Sequence, residues 1–144
     1  MGTWSTEILG NDSAMDALGD LAAGEFSFTE LAEDLKDDYI DSSAGDAVLA
    51  LIEVALAVRG LRELPEDDVV DAARIVLDDD RAAWLLAQSD RVLSLDSEVF
   101  QLWQETSERS FREWLGNAEA AVADLRRALE ASAGVETLES AHDR

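Results

Sequence analysis

Residues 44–58 read AGDAVLALIEVALAV. Ala47, Val48, Leu49, Leu51, Ile52, Val54 and Leu56 leave no polar face on a helical projection of this stretch. A helix that is apolar all round is buried all round. It is too short to cross a bilayer and carries Asp46 and Glu53, so a membrane span is not expected. The reading is therefore a central core helix over 44–58, ended by Gly60.

Working outward, amphipathic helical patterns lie on both sides. Ser27 and Glu30 have capping-box spacing, with Phe26 and Leu31 placed as a hydrophobic staple. That second helix is predicted to run to about Tyr39, with Leu31 and Leu35 inward and an acidic outer face. Pro65 opens a fourth helix, with Val69, Val70, Ala73 and Val76 or Leu77 toward the core. Asp78, Asp79 and Asp80 read as a loop, after which a fifth helix runs from about Arg81 to Leu93. Asp96 is placed to cap a sixth helix, with Leu95 and Phe100 as its staple. Phe111, Trp114, Leu115, Ala118, Val122, Leu125 and Leu129 form the stripe of a seventh. The pattern leaves open whether the last two are one rod or two. One proline, eight glycines and few β-branched runs agree with an all-α chain. The expected architecture is a compact single-domain bundle of six or seven helices over residues 1–134. An N-terminal arm (1–10) would lie on it, and 135–144 would form a flexible tail.

The opening, GTWSTEILGNDSAMDALGDL over 2–21, is the most patterned segment. Trp4, Ile8 and Leu9 suggest an arm laid on the core. Asn11 or Asp12 can cap the first helix, and Asp12 and Asp16 lie near its positive end. Ala14, Leu18 and Leu21 recur at helical spacing. Met1, Gly2, Trp4, Asn11, Asp12, Ala14 and Asp16 resemble the opening motif of domain-of-unknown-function family 4259, found in bacteria and archaea. The chain departs from it at Ser5 and Glu7, where that family usually has glycine, and at Leu9, where it has phenylalanine. The resemblance continues through Glu53, Leu64-Pro65, the segment Asp96 to Trp103, Trp114 and Leu125. It implies a shared fold and no particular reaction.

Charge bounds the partners. Against 33 acidic residues there are 11 basic ones, a formal charge of −22, and Lys36 is the sole lysine. Such a chain repels phosphate backbones and anionic lipid, so neither nucleic acid nor a membrane is expected as a partner. Acid spread along the whole chain favours adaptation to a salt-rich cytoplasm over a localised acidic surface. Without cysteine, thiolate metal sites and thiol catalysis are excluded. No secretory pattern is found, and a cytoplasmic location is expected.

Candidate chemistry is sparse. Glu30, Glu33, Asp34 and Asp37 could hold Mg²⁺ as paired helical carboxylates do, although a solvated acidic face is the simpler account. Asp12, Asp16 and Asp20 form a stripe at four-residue steps that could hold a cation or guanidinium, although capping and solvation suffice for Asp12 and Asp20, and for Asp16 a structural bond to Trp4 or an arginine is expected. Glu53 calls for a rim position or an arginine partner, with Arg74 or Arg91 as candidates. His142 is the only histidine and stands in the expected tail, so a histidine base or metal site is not supported. Trp84, Trp103 and Trp114 fit core positions. The functional expectation is a non-enzymatic protein-interaction module, possible in an immunity- or antitoxin-like role against a basic partner, with no cofactor. The alternatives are a Mg²⁺-dependent nucleotide phosphohydrolase using helix-borne carboxylates and a nucleic-acid mimic.

Overall fold

The computed structural model describes residues 6–64 and 67–142, with side chains over 6–64 and 68–133. Among them are seven helices: α1 (Asp12–Ala23), α2 (Phe28–Asp34), α3 (Ser42–Val58), α4 (Asp67–Val76), α5 (Asp79–Val92), α6 (Glu98–Gln104) and α7 (Glu108–His142). No strand occurs among the described residues. The fold is all-α, as the composition and periodicity predict.

Helix α3 is the centre. Asp41 caps it by accepting a 2.8 Å bond from the Ala44 amide. Every residue from 44 to 52 is buried, and α1, α4, α5, α6 and α7 all pack against it. Gly60, at φ 78°, turns the chain out of the helix in the left-handed region that glycine enters without strain. Gly45 has a different task. A Cβ there would stand 2.8 Å from Val99 Cγ1, so the missing side chain lets α6 approach α3 closely.

The caps differ from expectation in informative ways. Asp78 is not a loop residue but the N-cap of α5, accepting from the Arg81 amide at 2.8 Å, and Asp79 and Asp80 occupy the first turn. At α6 the N-cap is Ser97 rather than Asp96, and it makes no side-chain cap bond. Leu95 is 63% exposed, so the staple with Phe100 does not form. Helix α2 stops at Asp34, well short of Tyr39. There the Arg91 guanidinium takes the carbonyls of Leu35 and Asp37 at 2.6 and 2.5 Å. Ile40 then enters the core in a parallel bridge to Ser97, with Ile40 N–H to Asp96 O and Glu98 N–H to Ile40 O both at 2.8 Å. Burying Ile40 completely outweighs the five further residues of polar helix up to Tyr39.

Helices α6 and α7 are separate. Ser107 caps the second of them through its bond from the Ser110 amide at 3.1 Å. Their junction is welded by aromatic rings. Trp103 and Trp114 stack at 5.6 Å and 11°, while Phe100 meets both Phe111 and Trp114 edge-on. With 35 residues, α7 is about 52 Å long by helical rise. Its helical assignment continues through His142, over most of the segment read as a tail. Pro65 and Glu66, at the expected start of α4, lie outside the described residues. So do residues 1–5 of the arm. Thr6 to Gly10 lie along α7 as well as the core: Asn117 Nδ2 donates to Thr6 O at 2.9 Å, and Ile8 is buried.

Candidate functional site

The residues singled out by the opening motif are placed as follows. Gly2 and Trp4 lie outside the described residues. Asn11 is the N-cap of α1, accepting from Ala14 N–H at 2.8 Å and donating from Nδ2 to Ile8 O at 3.2 Å. Asp12 stands in the first turn. Asp16 is exposed, and no arginine pairs with it among the described residues. Trp103 and Trp114 are buried in the aromatic joint. Asn11, Asp12, Asp16, Trp103 and Trp114 line none of the clefts found among the described residues.

Glu53 has an arginine partner, but it is Arg62 and not Arg74 or Arg91. Arg62 Nε meets Glu53 Oε2 at 3.3 Å, and its NH2 group meets Asp124 Oδ2 at 2.7 Å; Arg127 closes on the other oxygen of Asp124. Burial raises the Glu53 pKa, and the arginine opposes that shift. The Asp124 carboxyl is held below its ordinary value, chiefly by the Arg62 hydrogen bond. Arg74 instead lies 4.0 Å from Asp71, and Arg91 serves backbone carbonyls. The missing signal was proximity: Arg62 lies beyond the left-handed turn at Gly60, which folds it back along α3.

The second-helix acids do not converge. Glu30, Glu33 and Asp34 are exposed on α2, and Asp37 is exposed in the connector beyond it. Glu33 pairs with Lys36 at 2.8 Å. Among the described residues no three His, Asp or Glu side chains are grouped as a metal site needs.

Three features have no counterpart in the sequence reading. The first is Asp46, buried on α3, with its carboxyl pushed up to about 7 by desolvation. Across from Gly45, where a Cβ would stand 3.6 Å from it, the Ser97 hydroxyl is fully buried without a partner.

The second is an exposed face on α6. Glu98, Leu102 and Glu105 share one side at helical spacing, with Gln101 beside them. Tyr39 O–H donates to Gln101 Oε1 at 2.5 Å, and Gln101 Nε2 donates to Leu95 O at 3.0 Å. These bonds tie Tyr39 (44% exposed) and the Leu95 backbone (side chain 63% exposed) to Gln101, and Leu102 (45%) follows Gln101 on α6. Partial desolvation, then the carboxylates of Glu98 and Glu105, raise the Tyr39 hydroxyl above its ordinary value.

The third is a cleft of 330 Å³ between α2 and α5, lined by Phe28, Thr29, Ala32, Glu33, Arg81 and Trp84. Trp84 is only half-buried here and not a full core residue.

No helix among the described residues is long and apolar enough to cross a membrane. Residues 2–117 match the family described as Domain of unknown function (DUF4259). No curated protein and no solved structure matches the chain.

Proposed function

Since the chain belongs to that family, whose description assigns no activity, we propose that it is a non-enzymatic protein-interaction module docking through the Tyr39–Leu95–Leu102 face. The carrying observation is that these three large side chains stay exposed together while Gln101 bonds to the segments that bear two of them. Hydrogen bonding of this kind orders an apolar surface before a partner arrives, which lowers the cost of association. Asp38, Asp96 and Glu105 are exposed around it, and Glu98 lies on the same helical side. The complementary partner is a basic protein segment with one or two apolar anchors. The anchors would supply contact energy, and the charges would speed encounter. Covering a basic active site, as an immunity protein or antitoxin would, is one use of such a face.

The test is co-purification of the tagged full chain from its own cells at cell-like potassium concentration. It is run beside Leu102→Glu and Tyr39→Ala variants. A stoichiometric basic partner, lost in both variants and weakened by added salt, is the expected result. A partner retained by both variants, or none at all, overturns the assignment.

A further inference from the structure

The cleft between α2 and α5 carries a second and independent reading. Its walls hold two aromatic side chains, Phe28 and Trp84, with Ala32 leaving space between α2 and α5 and the Thr29 hydroxyl at the margin. Arg81 reaches in from the first turn of α5. Its backbone is tied to the cap at Asp78, and its guanidinium carbon rests 3.9 Å from the centroid of the Phe28 ring. Acids outnumber bases 33 to 11 in the chain. Even so, no carboxylate pairs with Arg81 among the described residues. Arg59, Arg62, Arg109, Arg112 and Arg127 all have carboxylate partners within 3.3 Å. On the other side Glu33 is engaged only by Lys36, in a pair whose side chains are 64% and 69% exposed. Such an exposed pair is worth little and exchanges readily.

The cleft thus presents one cation seated on the Phe28 ring, one exchangeable anion and the ring of Trp84. We infer that it binds a free aromatic α-amino acid in its zwitterionic form. Arg81, seated on Phe28, receives the carboxylate, Glu33 receives the ammonium, and the side-chain ring lies against Trp84. Net charge favours this class. A chain at −22 repels phosphates and other anions from a distance, whereas a zwitterion approaches without that penalty. Size agrees as well, since 330 Å³ is near the lower end of ligand cavities, which run from about 300 to 1,000 Å³.

The experiment is a titration of the isotope-labelled full chain with L-phenylalanine, followed in amide and indole N–H spectra. Expected are saturable shifts confined to α2, α5 and the Trp84 indole. Phenylalaninamide lacks the carboxylate and N-acetyl-phenylalanine lacks the ammonium. Each should bind at least about tenfold more weakly, the loss of one charge-assisted hydrogen bond. Arg81→Gln should weaken L-phenylalanine to the same degree, and Arg126→Gln, exposed on α7, should leave it unchanged. Far-UV circular dichroism checks that both variants keep the fold. If Arg81→Gln does not fold, the ligand series on the unaltered chain still decides. Absence of saturable shifts overturns the inference. So does equal binding of the blocked ligands, or an Arg81→Gln protein that folds and binds normally. None of these outcomes bears on the docking face at α6.

Discussion

Asp46 lies on the helix that five others touch, and its side chain accepts no hydrogen bond among the described residues. Its carboxyl is raised from 3.8 to about 7 in the folded chain. Between those values the native state holds a proton that the unfolded chain has released. The Asp46 contribution to stability therefore falls as pH rises from about 4 to about 7 and then levels off. In denaturant titrations Asp46→Asn should match the parent near pH 4 and exceed it near pH 8. The gain is at most ~4 kcal/mol if the whole shift is desolvation. Parallel pH curves for the two proteins would refute this. One residue earlier, Gly45→Ala sets helix propensity against contact. Alanine gains about 1 kcal/mol in a helix interior, but its Cβ would meet the buried Val99 Cγ1 at 2.8 Å. Overpacking in a closed core typically costs about 1–3 kcal/mol, so net destabilisation is expected. Adding Val99→Ala should recover part of the clash term in a thermal-denaturation cycle.

Individual helices are short of intrinsic support and are held by arginines reaching between them. Arg59 donates to Ala55 O at 2.9 Å and to Asp79 Oδ1 at 2.6 Å, and Asp79 accepts from Ser132 at 2.9 Å. One side chain thereby joins α3 and α5, and through Asp79 also α7. Arg62 does the same for Glu53 and Asp124. Replacing Arg62 with methionine leaves Glu53, whose side chain is 14% exposed, without its cation. The cost should be about 1–3 kcal/mol, as for a stranded buried polar group. Glu53→Leu added to that variant should return a measurable part of it. Arg91 sets the end of α2. In Arg91→Ala the Leu35 and Asp37 carbonyls lose their donor, and amide exchange should quicken over 35–40 while α3 keeps its protection. Unchanged exchange in that connector would show that the Ile40–Ser97 bridge alone holds it.

The whole molecule carries a formal charge of −22 on 144 residues, and most of that acid is at the surface. If the acidity serves a salt-rich interior, Tm should climb as KCl rises from about 0.1 M to about 1 M, where the screening length falls from roughly 10 Å to 3 Å. A flat Tm would leave binding as the reason for the charge. Much of the fold was legible from residues alone. The all-round apolar run at 44–58, the caps at Asn11 and Ser27, and the stripes of α1 and α7 are local patterns. Helix periodicity and capping act within a few residues, so sequence determined where the helices are centred, though not where α2 and α7 end, and which helix is central. Tertiary structure decided the rest. The α2 boundary depends on Arg91, and Glu53 has Arg62 as its partner. Ser97 replaces Asp96 as the cap, and the exposed triad of Tyr39, Leu95 and Leu102 joins separate segments. So does the cleft where Arg81 meets Phe28. Each of these depends on groups far apart in sequence brought together by burial of the core, and no local pattern records which distant side chains the packed helices will place side by side.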